Sequence, residues 1–253
     1  MGTLEGKAAI VTGASRGIGR AVARRLAREG AAVYLAADGT EAELAEAAEE
    51  CRNEGGAEAE TGVFDLARPE AAGEMAAAAL ARFGRVDVLV NNAGIRANRP
   101  FGEFTQEDFD RVVAVNLRAP FFASQAVLPA MRAAGGGRII HIASQLGMVA
   151  ARGTALYGVT KAGLIHLTRA MALELAPEGI EVNAVSPGPT GTAYYLERLE
   201  RDPEMRAQRL AYVPAGRLVT PEEIAAVVAF LAAGEASAIQ GHNLLVDGGY
   251  VTH

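Results

Sequence analysis

With 253 residues, half of them hydrophobic, the chain is long enough to bury one sizeable core. Its net charge of −6, with 24 basic residues scattered among 30 acidic ones, excludes the clustered cationic surface of a nucleic-acid or membrane-surface protein. Cys51 is alone, which excludes an internal disulfide, and His141, His166, His242 and His253 lack metal-ligand spacing, so no metal is expected.

The apolar run 7–12 predicts a first strand. It leads into a glycine-rich turn, Gly13-Ala14-Ser15-Arg16-Gly17-Ile18-Gly19, then an amphipathic helix over 20–29 that Gly30 ends. Residues 32–36 predict a second strand, which completes a βαβ unit. A helix over 41–53 is broken by Gly55 and Gly56, and a third strand over 58–64 ends at Asp65 and Leu66. Pro69 suits the first turn of the next helix. The fourth strand, 86–90, runs into Asn91-Asn92-Ala93-Gly94, and 95–105 reads as a polar loop. Thr105 with Asp108 predicts a cap for a helix that passes Asn116, with Pro120 placed to kink or divide it. Residues 135–137 are glycines that stop this helix, and the fifth strand, 138–143, ends at Ser144.

A helix carrying Tyr157 and Lys161 runs to about 176, followed by a sixth strand over 180–185 and the turn Pro187-Gly188-Pro189-Thr190-Gly191-Thr192. Residues 193–216 are charged and lack a strand pattern, and 190–216 are expected to form a mobile substrate loop. Thr220 and Pro221 start a helix to about 233, and 244–246 form the last strand. Strands and helices alternate without linker or repeat. The expected fold is therefore α/β, one domain over 1–253 built on a doubly wound parallel sheet flanked by helices. No run reaches the roughly 18 apolar residues that a membrane span needs, and the N-terminal residues lack a signal-type apolar stretch, so a cytoplasmic protein is expected.

In such a sheet, ligands bind beyond the carboxyl ends of the strands. The glycine turn, Asp38, Asp65, Asn91 to Gly94, Ser144 and Pro187-Gly188 all fall at that edge. Glycines let a backbone approach a pyrophosphate, and a helix N-terminus supplies amide donors to it. Tyr157 and Lys161 lie four apart, one turn along the same helix face. A neighbouring ammonium favours tyrosinate over a phenol whose ordinary pKa is about 10.

These motifs, Thr12-Gly13-Ala14-Ser15-Arg16-Gly17-Ile18-Gly19, Asn91-Asn92-Ala93-Gly94, Asn116, Ser144, Tyr157 with Lys161, and Pro187-Gly188, resemble those of the short-chain dehydrogenase/reductase family over essentially the whole length. The resemblance implies a Rossmann fold of about seven parallel strands and a homotetramer or homodimer. It implies NAD(P)-dependent interconversion of a secondary alcohol and a ketone by hydride transfer. It also implies a catalytic tetrad of Asn116, Ser144, Tyr157 and Lys161. Tyr157 would exchange a proton with the substrate oxygen, and Ser144 would hold that oxygen. Lys161 would lower the tyrosine pKa and bind the nicotinamide ribose, and Asn116 would hold a water linking Lys161 to solvent. Further cofactor contacts carried over are Gly13, Ser15, Arg16, Gly17, Ile18 and Gly19 at the turn, and Asp65 with Leu66 at the adenine. Asn91, Ala93 and Gly94 fall along the adenosine ribose, and Pro187, Gly188, Thr190 and Thr192 at the nicotinamide carboxamide.

At the ribose 2′ position the signals conflict. Relatives using NAD carry an acid where Ala37 stands, Asp38 comes one residue later, and Arg16 is a feature often seen with NADP. The cost of a carboxylate beside a phosphate dianion tilts the balance slightly to NAD. The substrate pocket is expected from 95–101, 145–152 and the segment after Thr192. Gln145 and Tyr194 join Ser144 and Tyr157 there, and Gln145 suits a polyol or sugar-like substrate. The alternative is a 3-oxoacyl-(acyl-carrier-protein) reductase. Val213-Pro214-Ala215-Gly216-Arg217-Leu218 resembles that group, but Gly135 and Glu178 stand where its basic docking residues would align. A non-redox lyase or a cofactor-sensing protein is disfavoured, because Lys161 and the glycine turn are both kept.

Overall fold

The first strand, β1 (Ala8–Thr12), is buried at every position, as a strand covered by helices on both faces must be. The computed structural model describes residues 2–55 and 58–252. Gly56, expected to help break a helix, and His253, weighed above as a ligand, lie outside the described residues. β1 pairs in parallel with β2 (Ala32–Ala37) on one side and β4 (Val88–Asn91) on the other, so that Ile10 faces Tyr34 and Leu89. With β3 (Ala59–Val63), β5 (Gly137–Ile142), β6 (Ile180–Pro187) and β7 (Asn243–Val246), the order is β3-β2-β1-β4-β5-β6-β7, parallel throughout. The chain reverses its direction of travel across the sheet between β1 and β4, and a crevice opens at such a switch point.

Alternate side chains of each strand point to opposite faces, which divides the core in two. Val11, Val33, Val90, Ile140 and Val185 pack with Val22 and Leu26 of α1 (Gly17–Arg28), Leu44 of α2 (Glu41–Gly55), and Ile224 and Val228 of a later helix. Ile10, Leu89, Ile139 and Val182 pack on the other face with Met75 of α3 (Ala71–Phe83) and with two helices described next.

Gln106 to Ala133 is continuous helix: α4 (Gln106–Val113), a π-helical stretch Ala114–Arg118, and α5 (Ala119–Ala133). Thr105 and Asp108 form the expected capping box. Pro120, expected to kink or divide this helix, stands in the first turn of α5. It has no N–H to return to the carbonyl of Asn116, and the Ala119 N–H reaches back to the Ala114 carbonyl, so the helix widens at Asn116 instead of breaking. By length and mean hydropathy alone this helix could cross a membrane, but it holds no unbroken apolar run of that length, and half of its most apolar window is buried in the fold. It lies against α3 and the sheet as a core helix. α6 (Ala155–Leu175) packs beside it.

The charged segment 193–216, expected to be mobile and irregular, forms two helices, α7 (Ala193–Arg201) and α8 (Pro203–Leu210). Leu199 anchors α7 inward, and the Asp202 carboxylate caps α8 by accepting the Met205 N–H at 2.9 Å. The last helix, α9 (Pro221–Ala233), opens on a capping box of Thr220 and Glu223 and stops at Gly234. The first helix differs most usefully from expectation. It starts at Gly17, three residues before the predicted start, which puts the end of the glycine turn into its first turn.

Candidate active site

The ends of β1 and β4 are laced together at the switch point. The Thr12 hydroxyl oxygen accepts the N–H groups of Asn92 and Ala93, each at 2.9 Å, and the Asn92 amide donates to the carbonyls of Thr12 and Gly13. Thr12 and Asn92 therefore set the geometry of the turn, a structural role that their positions beside the glycines could have suggested. Gly13 and Gly17 have φ of 64° and 57°, the left-handed region that favours glycine. A β-carbon on Gly19 would collide with the Gly13 carbonyl.

The turn is built for an anion. Arg16, the residue before α1, makes no side-chain cap, and the first turn of α1 carries no acid. The amides around Gly17, Ile18 and Gly19 stay available, where the helix dipole favours a pyrophosphate. Thr192, arriving from β6, lies against Gly17, its methyl 3.2 Å from where a β-carbon would stand. Ser15 is buried beside Gly39. These residues fit a dinucleotide.

Arg16 and Asp38 are both exposed at the ends of β1 and β2, and the charge of Arg16 acts on Glu43. Asp65 is exposed and turns back to accept the Ala67 N–H at 2.9 Å, while Leu66 is buried with Ala71 and Ala119. Asn91 points away from the crevice: its amide nitrogen lies 3.3 Å from the Ser124 hydroxyl and 3.2 Å from Nδ1 of His141. Ala93 and Gly94 face the other way, and a β-carbon on Gly94 would stand 3.4 Å from Nζ of Lys161. Pro187 ends β6, Thr190 donates its hydroxyl to the Gly188 carbonyl at 2.9 Å, and Gly188 lets the backbone pass Asp247 where a β-carbon would lie 2.5 Å from its Cα.

The four residues singled out as a tetrad meet here. Tyr157 is only 7% exposed, and Nζ of Lys161 lies 5.7 Å from its ring centroid. Burial pushes the phenol pKa up, but Lys161, Arg96 and hydrogen bonding from Ser144 outweigh it and hold the pKa below tyrosine's ordinary range. Burial lowers the Lys161 pKa, with Tyr157 opposing and Arg96 assisting. The Lys161 ammonium donates to the Ile142 carbonyl at 2.7 Å. The Asn116 side chain, at the widened turn, accepts the Ile95 N–H and donates to the Ile95 carbonyl, both at 2.9 Å, and donates to Thr160 at 3.1 Å.

Gln145 is buried, and its side-chain oxygen accepts the Ser144 hydroxyl at 3.1 Å. Tyr194 is 73% exposed on α7, and Tyr195 is half-buried. Sequence reading assigns two further residues no contact with the tetrad: Arg96 falls within the expected pocket segment 95–101, and His141 only among the histidines without ligand spacing. Arg96 places its guanidinium carbon 4.3 Å over the Tyr157 ring. His141, fully buried, leaves Nε2 without a partner among the described residues. No local sequence signal marks either one.

A family model described as enoyl-(acyl carrier protein) reductase matches residues 13–251. Gluconate 5-dehydrogenase from Gluconobacter oxydans (strain 621H) is 38% identical over 247 residues, spanning 98% of this chain and 95% of that protein. A 3-oxoacyl-(acyl-carrier-protein) reductase from Vibrio cholerae serotype O1 is 42% identical over 246 residues, spanning 97% and 98%. Among solved structures, a candidate NAD(P)-dependent gluconate 5-dehydrogenase from Beutenbergia cavernae, with NADP bound at low occupancy, superposes with a TM-score of 0.91 at 43% identity, covering 99% of this chain and 98% of its own.

Proposed function

The chain belongs to the short-chain dehydrogenase/reductase family, and we propose that Tyr157, Lys161, Ser144 and Asn116 carry its chemistry. It is an NAD(P)-dependent oxidoreductase that interconverts a secondary alcohol and a ketone. When bound, the nicotinamide supplies or accepts the hydride. Tyr157 exchanges the proton at its phenol oxygen, as phenolate base in oxidation and as phenol acid in reduction. Lys161 holds the phenolate form and reaches the nicotinamide ribose. Ser144 orients the substrate oxygen by turning its hydroxyl from the Gln145 side-chain oxygen to that atom. Asn116 pins the segment over Lys161 and holds the water that links it to solvent. The observation that carries this assignment is a buried tyrosine with the Nζ of a buried lysine 5.7 Å from its ring centroid, at the edge of the sheet where the glycine turn lies.

The cofactor lies along Gly13 to Gly19, Ala93, Gly94 and Thr192. The lean toward NAD drawn from Asp38 receives no support from the relatives, one of which holds NADP. The site is open to either cofactor, with Arg16 as its cation and Asp38 as the group that penalises a 2′-phosphate. The substrate is a polyol or sugar-like hydroxy compound. Gln145 beside Ser144 supports this, as does the likeness to gluconate 5-dehydrogenase. The acyl-carrier reductase reading has a relative in its favour, but Gly135 offers no charge, and Glu178 is occupied in an ion pair with Arg132 at 2.5 Å. Exposed Phe109, Phe121 and Phe122 on the long helix support assembly into a homotetramer or homodimer, working in the cytoplasm.

The direct test follows absorbance at 340 nm with each cofactor and a panel of polyols, sugars, ketones and 3-oxoacyl thioesters. Turnover of polyol or sugar-type compounds is expected. Turnover confined to acyl thioesters would support the alternative, and cofactor binding without any turnover would overturn the redox reading.

A further inference from the structure

We propose that Arg96 is a substrate-recognition residue and that the substrate is a hydroxy acid whose carboxylate it clamps near the reacting carbon. The proposal rests on the reading of Tyr157 as the proton-exchanging residue and extends it to the substrate class. Arg96 lies two residues beyond Gly94, on the segment that Asn116 fixes by bonding both the N–H and the carbonyl of Ile95. Its guanidinium carbon stands 4.3 Å over the Tyr157 ring, beside the point where the substrate oxygen must sit. It is exposed, and among the described residues it forms no ion pair with a carboxylate.

The surroundings are one-sided. Residues 95–100 and 145–154, the two segments bordering Tyr157 and Ser144, contain Arg96, Arg99 and Arg152 and no Asp or Glu, in a chain of net charge −6. The segments are tied together by the Arg99 N–H, which donates to the Gly153 carbonyl at 3.1 Å. Arg99 is satisfied by Asp108 at 2.5 Å, whereas Arg96, which acts on the Tyr157 phenol, has no carboxylate partner among the described residues. A planar guanidinium presents two parallel donors that match the two oxygens of a carboxylate, and a cation placed there without a carboxylate partner suits an anion brought by the ligand. The carboxylate keeps its charge throughout. In oxidation the carbinol carbon gives a hydride to the oxidised nicotinamide and its hydroxyl gives a proton to the Tyr157 phenolate, leaving a keto acid.

The test uses pairs of four- to six-carbon aldonates and alditols that differ only in carboxylate against CH2OH, D-gluconate and D-glucitol among them. Wild-type protein is expected to favour the aldonate of a reactive pair by about tenfold or more in kcat/KM. Arg96→Gln removes a charge that also acts on Tyr157, so both members of a pair should lose turnover, and the aldonate should lose about tenfold or more in kcat/KM beyond the alditol, the excess appearing in KM. Arg96→Lys should recover part of the loss. A wild type that favours alditols, or favours phosphorylated sugars over aldonates, overturns the carboxylate assignment while leaving the redox reading intact. Equal losses on both members of a pair, with a shifted pH profile, would mean that Arg96 only tunes Tyr157, and the proposal fails. Turnover of neither class, with a cofactor-induced thermal shift showing a folded protein, overturns the redox reading and this inference with it.

Discussion

Tyr157 sits in a low-dielectric pocket that should make its phenol a weaker acid, yet the neighbouring cations leave it a stronger one. The active form in alcohol oxidation is the phenolate, so activity should rise with pH through an apparent pKa below 10. In Lys161→Met the cation is gone, the phenol pKa rises, and the activity limb should move to higher pH. A pH–rate profile that stays in place would contradict this coupling. His141 makes a second residue-level prediction. Burial, with Lys161 assisting, pushes its pKa down to about 3 from an ordinary 6.5. Between those values the unfolded chain binds a proton that the folded chain does not. Stability is therefore fully present above about pH 6.5 and is lost as pH falls toward 3. His141→Leu should flatten that acid-side loss when Tm is measured against pH, and an unchanged slope would contradict the account. Tyr157, Lys161 and Ser144 were legible in the sequence because their spacing relative to strand and helix is local. Arg96 over Tyr157 and Gln145 against Ser144 were not, because only folding decides that a segment leaving β4 meets the start of α6, or which way a side chain next to the serine turns.

Elements tell the same story in a different currency. The strands were legible from apolar runs, and most helices from glycine stops and capping signals. Thr220 and Glu223 form the capping box that their spacing predicted, with Arg217 paired to Glu223 at 2.6 Å. Thr220→Ala should lower stability by about 1 kcal/mol in denaturant unfolding, and a loss under about 0.3 kcal/mol would contradict the capping role. The widened turn at Asn116 was not legible. Pro120 signalled trouble in the helix, but a missing N–H does not say whether a helix kinks, breaks or widens. Here the widening coincides with the residue whose side chain holds the Ile95 backbone. In 193–216 the dense charge hid a short helical period, and Leu196 with Leu199 was too brief a stripe to declare α7.

The whole molecule places its chemistry by topology. Seven parallel strands put every functional cluster at one edge, and the reversal between β1 and β4 opens the crevice between the glycine turn and Lys161. Cofactor choice belongs to this scale, since Arg16 and Asp38 come from the ends of different strands. Asp38→Arg should raise the ratio of NADPH to NADH catalytic efficiency by about tenfold, and an unmoved ratio would place the 2′ position elsewhere. The central claim is that this edge performs proton-coupled hydride transfer with Tyr157 as the proton carrier. Purified Tyr157→Phe tests it most directly, with turnover at 340 nm and cofactor affinity by calorimetry measured on the same preparation. Loss of turnover with cofactor affinity within a few-fold of wild type is the predicted result, and near-normal turnover would contradict it.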